Sequence, residues 1–251
     1  MSKRTTKKRY TEDEEDEIFQ DVSREHGNNL LKTVTFKLSP KTPNQKKFLD
    51  LVRKNDITIC SGAPGSGKTF LSCGIALDIL KSDPKIKKIV LVKSVTTLKS
   101  EEIGFLKGSI DEKLSPFMYS FYHNFEKLIG KKSLESLKAG GYIEELPIAY
   151  MRGINIDNAI VIIDETQNII LDNMRTIMTR LGENSKMIFL GDVEQIDLKS
   201  KETSSLSTII KYFEKSDEYI GAISFTEEDI VRHRLVQLIE ETFRQIKEDK
   251  K

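Results

Sequence analysis

Hydrophobic positions along the chain fall into two alternating kinds of run. Short, near-continuous apolar runs read as strands buried on both faces: ITICSG (57–62), KIVLVKS (88–94), AIVIIDE (159–165), SKMIFLGD (185–192) and YIGAISF (219–225). Between them lie segments whose apolar residues recur every three or four positions. These are NQKKFLDLVRK (44–54), with Phe48, Leu49, Leu51 and Val52 on one face, KTFLSCGIALDILK (68–81), LDNMRTIMTRL (171–181) and SLSTIIKYFEK (205–215). That spacing predicts helices. A terminal helix is expected from the stripe Val231, Leu235, Leu238, Ile239, Phe243 and Ile246, and VTFKL (34–38) reads as a further short strand. Strands alternating with helices imply an α/β fold with a mostly parallel sheet flanked by helices.

Two stretches depart from this rhythm. In residues 1–29, five basic side chains (Lys3, Arg4, Lys7, Lys8, Arg9) precede six consecutive acidic ones from Glu12 to Glu17. So little apolar surface cannot offset the entropy of ordering, and a flexible charged tail is expected, either a solvated leader or an arm that touches nucleic acid. The globular part is expected to be a single domain, 30–251. Within it, residues 100–155 exceed what a plain strand-to-helix connection needs, and an inserted helical segment or lid is expected there.

Composition narrows the class. A chain of 251 residues, 38% of them hydrophobic, can bury one full α/β core. Lys and Arg number 40 against 39 Asp and Glu, so nucleic acid is not coated through bulk charge, although local basic patches stay open. No apolar run approaches the ~20 residues of a membrane span, and the N-terminal segment has no apolar signal core. Cys60 and Cys73 sit in apolar runs without metal-ligand spacing, and the three histidines are scattered. A cytoplasmic protein with no membrane partner is expected.

The chemistry is concentrated at Gly62-Ala63-Pro64-Gly65-Ser66-Gly67-Lys68-Thr69, which fits GxxxxGK[ST] between a predicted strand and a predicted helix. Glycines let the main-chain N–H groups turn inward around phosphate, and the helix start adds positive dipole. Lys68 would reach the β- and γ-phosphates, Thr69 would ligate Mg²⁺, and the contacting stretch is expected to run on to Phe70. The strand AIVIID ends in Asp164, a candidate metal ligand, followed by Glu165. A second carboxylate there suits polarising an attacking water, which favours hydrolysis over transfer to a bulky acceptor. After the next strand, Gln195 is a candidate γ-phosphate sensor that Asp192 could support.

Six motifs in order then carry a resemblance: TPNQ (42–45), GAPGSGKT (62–69), MRG (151–153), VIIDETQN (161–168), GDVEQIDL (191–198) and DIVRH (229–233). The chain from about Val34 to Leu238 resembles the PhoH-like ATPases, phosphate-starvation-inducible relatives of superfamily 1 helicases, in their small stand-alone form. The resemblance implies a RecA-like P-loop core that binds and hydrolyses ATP with Mg²⁺ and acts on RNA, in the host cytoplasm for a phage-borne form. By position it implies that Gln45 contacts adenine, that Lys68, Glu165 and Gln195 serve catalysis, and that Arg232 offsets charge on the transferred phosphoryl group. Arg234, Arg152 and Arg180 are rivals for that last role. Superfamily 1 enzymes place ATP between two RecA-like domains, whereas this chain has motifs for one. A neighbouring subunit would then complete the site, and a homo-oligomer, a hexameric ring, is expected.

Across residues 81–100 six lysines face one acid, and the 100–150 stretch mixes lysines with Phe105, Phe117, Tyr119, Phe121 and Tyr122. Cations with aromatics suit single-stranded RNA or DNA, although the aromatics equally suit a small core. Lys93 and Lys99 are the residues expected to contact the polymer. Two other functions use the same P-loop: a kinase acting on a small acceptor, and a nucleotide-gated RNA-binding module with little turnover.

Overall fold

A computed structural model describes residues 30–94, 110–196, 204–213 and 219–231, with positions 235, 238, 239, 242, 245 and 246 of the C-terminal segment. The chain divides into a unit ending at Thr35 and a larger one from Phe36 onward, which carries every element discussed below.

In the larger unit the first helix, α1 (Pro43–Lys54), starts where sequence dictates. Thr42 is extended and its hydroxyl accepts from the Gln45 N–H, while Pro43 occupies the first helical turn. Then follow β1 (Ile57–Ser61), α2 (Lys68–Ser82), β2 (Lys88–Lys93), α3 (Ile110–Ile129), α4 (Lys131–Ala139), β3 (Ile143–Glu145), β4 (Ala159–Asp164), α5 (Leu171–Met178), β5 (Lys186–Gly191), α6 (Leu206–Phe213) and β6 (Ile220–Ser224). The strands form one sheet in the order β3-β2-β4-β5-β1-β6. Every pairing is parallel. This is the RecA-like P-loop architecture, with β5 lying between the strand that feeds the loop and the strand that bears the acidic pair.

Burial explains why the central strands read as unbroken apolar runs. Every residue of β1 and β4 is buried. One face of the sheet packs Ile59, Val161, Ile163 and Phe189 with Met174, Ile177, Leu206 and Ile209 from α5 and α6. On α2, Leu71, Cys73, Ile75, Ala76 and Leu77 are all buried, which accounts for a helix apolar almost all round. Both thiols are free and buried, and burial raises the pKa of each, as packing residues require.

Two expectations are corrected here. VTFKL forms no strand. Leu38 lies instead against α2, where a β-carbon placed on Gly74 would stand 2.4 Å from Leu38 Cδ1. Conversely β3 was not foreseen: Ile143, Glu144 and Glu145 extend the sheet by pairing with Ile89, Val90 and Leu91. Within the 100–155 stretch, Met118, Phe121 and Phe125 of α3 are buried, as are Leu134 and Leu137 of α4. Tyr119 is exposed, its ring stacked on His123 at 5.8 Å between centroids. Phe121 therefore packs in the core and Tyr119 does not, while Phe105 lies outside the described residues.

Candidate functional site

β1, β2, β4 and β5 all end at the same edge of the sheet, and a cavity of about 430 Å³ opens there. Pro64, Gly65, Gly67, Lys68, Thr69 and Phe70 form one wall, Asp164 and Glu165 the floor, and Asp192 and Gln195 a second side. The cavity thus gathers the P-loop, the acidic pair 95 positions beyond Thr69 and the sensor candidate 30 beyond Glu165. Its location matches the rule that parallel α/β sheets bind ligands beyond the carboxyl ends of their strands.

The loop is shaped for an anion. Gly65 (φ 84°) and Gly67 (φ 85°) adopt the left-handed backbone that glycine permits without cost to a side chain. No side chain caps the start of α2, so its first N–H groups are left for a ligand. The Lys68 ammonium donates to the carbonyls of Gly62 and Ala63, the latter at 3.0 Å. Burial lowers the Lys68 pKa, opposed by nearby anions that include Asp192, Asp164 and Glu165. A phosphate bound beside it would favour the charged ammonium further.

The Thr69 hydroxyl donates to Asp164 Oδ2 at 3.2 Å. Burial first, then the charge of Glu165, raises the Asp164 pKa, against the opposing pull of Lys93 and Lys68. A hydroxyl and a desolvated carboxylate brought together are the hard oxygen donors that Mg²⁺ prefers, so the residues fit that ion. Among the described residues no group of three or more His, Cys, Asp or Glu could hold a metal, so phosphate oxygens and water would complete the shell.

Glu165 leaves β4 in a left-handed conformation (φ 58°, ψ 39°), rare for a non-glycine residue and a form of strain found at functional sites. Its Oε2 accepts from Gln167 Nε2 at 2.7 Å. Gln167 also accepts the Asp192 N–H at 3.1 Å, tying the acidic pair to the end of β5. Gln167 is 1% exposed and was missed from sequence, although it lies in the motif VIIDETQN. The signal lay in its position: an amide two residues beyond a carboxylate can reach back to it.

Other expected residues lie as follows. Gln45 is 3% exposed, and its amide donates to Ser66 O (3.0 Å) and accepts from the Lys41 N–H (2.6 Å). Through Ser66 it braces the loop. Lys93 lines the same cavity, 3.8 Å from Glu165. Arg152 pairs with Asn173, and Arg180 with carbonyls near α5, neither lining the cavity. Arg232, Arg234 and Lys99 lie outside the described residues. The Val231 N–H, however, donates to the Gly65 carbonyl at 3.2 Å, so the chain entering VRH rests on the P-loop itself.

Asp229 organises that approach and was also missed. It is 1% exposed and accepts from Thr42 Oγ1, from Asn44 Nδ2 at 2.9 Å and from the Thr226 N–H at 2.7 Å. Burial works to raise its pKa, but these hydrogen bonds outweigh it and the carboxyl titrates below its ordinary value.

A family model described as PhoH-like protein matches residues 37–244. The PhoH-like protein of Bacillus subtilis (strain 168) is 38% identical over 203 residues, covering 81% of this chain and 63% of that protein. Protein PhoH of Escherichia coli (strain K12) is 34% identical over 195 residues, covering 77% and 54%. The chain therefore spans somewhat over half the length of these curated relatives. Solved structures with a similar fold include the large terminase of a thermophilic bacteriophage (14% identity, 79% of this chain, 49% of that chain, TM-score 0.47). Another is the Pif1 helicase from Candida albicans (15% identity, 82% and 44%, TM-score 0.39). Among the described residues no helix is long and apolar enough to cross a membrane.

Proposed function

The chain belongs to the PhoH-like protein family, and on that premise we propose that it hydrolyses ATP with Mg²⁺ and couples turnover to binding or remodelling of single-stranded nucleic acid, RNA foremost. One observation carries this reading: Glu165 stands beside Asp164 in the cavity that also holds Lys68 and Thr69. Thr69 and Asp164 would hold Mg²⁺, which when bound draws charge from the phosphate oxygens.

Gly65 and Gly67 open the loop's N–H groups to the β-phosphate, and Lys68 exchanges its loop carbonyls for phosphate oxygens. Glu165 orients a water against the γ-phosphorus and takes its proton as the new P–O bond forms and the bond to the bridging oxygen breaks. Gln195 reads the γ-phosphate, Gln45 fixes the loop, and Arg232 offsets the charge developing on the phosphoryl group. The polymer is met by Lys99 and by the cationic and aromatic surface of α3 and α4, where exposed Tyr119 supports a stacking platform.

Copies are proposed to assemble as a ring, in the cytoplasm. Val231, Leu238, Ile239 and Ile246 of the C-terminal segment, 42–57% exposed, support association through that flank.

ATP turnover with and without single-stranded RNA, in the parent and in Glu165→Gln, tests the reading. Expected is polymer-stimulated hydrolysis that falls by about 10²-fold or more in the variant while ATP binding persists. Phosphorylation of an acceptor with indifference to RNA would make it a kinase. Binding without turnover in either protein would make it a gated binding module.

A further inference from the structure

Lys93 is a cavity cation to which the proposed hydrolysis gives no task. It ends β2 in register with Asp164, and its ammonium stands 3.8 Å from Glu165 Oε1. It also donates to Ser120 Oγ of α3 at 3.1 Å, with its side chain 17% exposed. The other two ammoniums of the cavity differ in kind: Lys68 is engaged by carbonyls of its own loop, and Lys127 is exposed at the rim. With Gln167 on the second oxygen, both oxygens of the Glu165 carboxylate are partnered inside the protein.

A terminal phosphate bound in this cavity brings a second anion up to Glu165, next to the Asp164 carboxylate. Two anions held close together repel unless a cation is shared between them. The cation already on Glu165 is the one placed to be shared.

We infer that Lys93 is a specificity-determining residue that pairs with Glu165 when no terminal phosphate is present and turns to the terminal phosphate of a bound nucleoside triphosphate. It thereby distinguishes triphosphate from diphosphate and frees the general base only when there is a γ-phosphate to attack. The inference rests on the reading of this cavity as an ATP site, and it takes Lys93 out of the polymer-contacting set.

Labelled ADP and a non-hydrolysable ATP analogue, each with Mg²⁺, are titrated onto the full chain as parent, Lys93→Met and Lys93→Arg. Lys93→Met is expected to weaken the triphosphate analogue about tenfold, the loss of one charge-assisted hydrogen bond, with ADP affinity unchanged. Lys93→Arg restores most of the difference, and affinity for a single-stranded RNA oligomer is the same in all three. If Lys93→Met does not fold, Lys93→Gln, which keeps a donor for Ser120 but not the charge, is expected to give the same split. Equal losses for both nucleotides overturn the assignment, as does unchanged nucleotide affinity with weakened RNA binding. A parent chain that binds neither nucleotide overturns the ATP reading and this inference together, and is told apart because the failure precedes any substitution.

Discussion

Asp229 shows how much of the site is held by a residue that touches no phosphate. Its hydrogen bonds join Thr42 and Asn44 at the start of α1 to Thr226, just ahead of the segment that meets the P-loop. Because its folded-state pKa lies below the ordinary value of 3.8, the stabilisation is full above that value and disappears as pH falls through the lower one. Asp229→Asn is therefore expected to melt lower than the parent near neutral pH, with the two curves converging below about pH 4. Melting temperatures between pH 3 and 7 decide this; a constant offset across the range would refute it. Legibility follows the same divide. Lys68, Thr69, Asp164 and Glu165 could be read because each lies in a contiguous motif whose chemistry is local. Asp229, Gln167 and the pairing of Lys93 depend on through-space neighbours, such as Asp229 with Thr42, 187 positions apart, and no spacing rule announces those.

Among the elements, the long apolar strands were legible because burial on both faces leaves no polar alternation to confuse with a helix. β3 has only three residues and pairs on one side alone, too short a run to register as a pattern. VTFKL misled for the opposite reason: its Leu38 is used against a helix, not a sheet. The end of β5 matters most for the chemistry. A β-carbon built on Gly191 would stand 2.7 Å from Thr166 Oγ1 and 2.9 Å from Gln167 Oε1. Gly191→Ala is expected to cost about 1–3 kcal/mol of stability through overpacking. It should lower kcat more than it raises KM for ATP, because the displaced Gln167 no longer holds Glu165. Steady-state kinetics with chemical denaturation would separate the two effects, and a stable variant with unchanged kcat would refute the role given to Gln167.

At the scale of the whole molecule, one sheet brings a P-loop, an acidic pair and a sensor candidate to one cavity. The exposed apolar side chains of Leu238, Ile239 and Ile246 are what support the proposed ring. In light scattering with Mg²⁺ and ATP, the parent is expected at a multiple of 28.7 kDa and Leu238→Asp near that mass. A parent that stays monomeric while fully active would remove the ring. One small contact gives such an assembly a further property. The Val231 amide hangs on the carbonyl of Gly65, within the loop proposed to take the nucleotide's phosphates. In the proposed ring, filling and emptying of the pocket would reach the exposed apolar flank through that single peptide group, so the grip between neighbours would keep time with the fuel cycle.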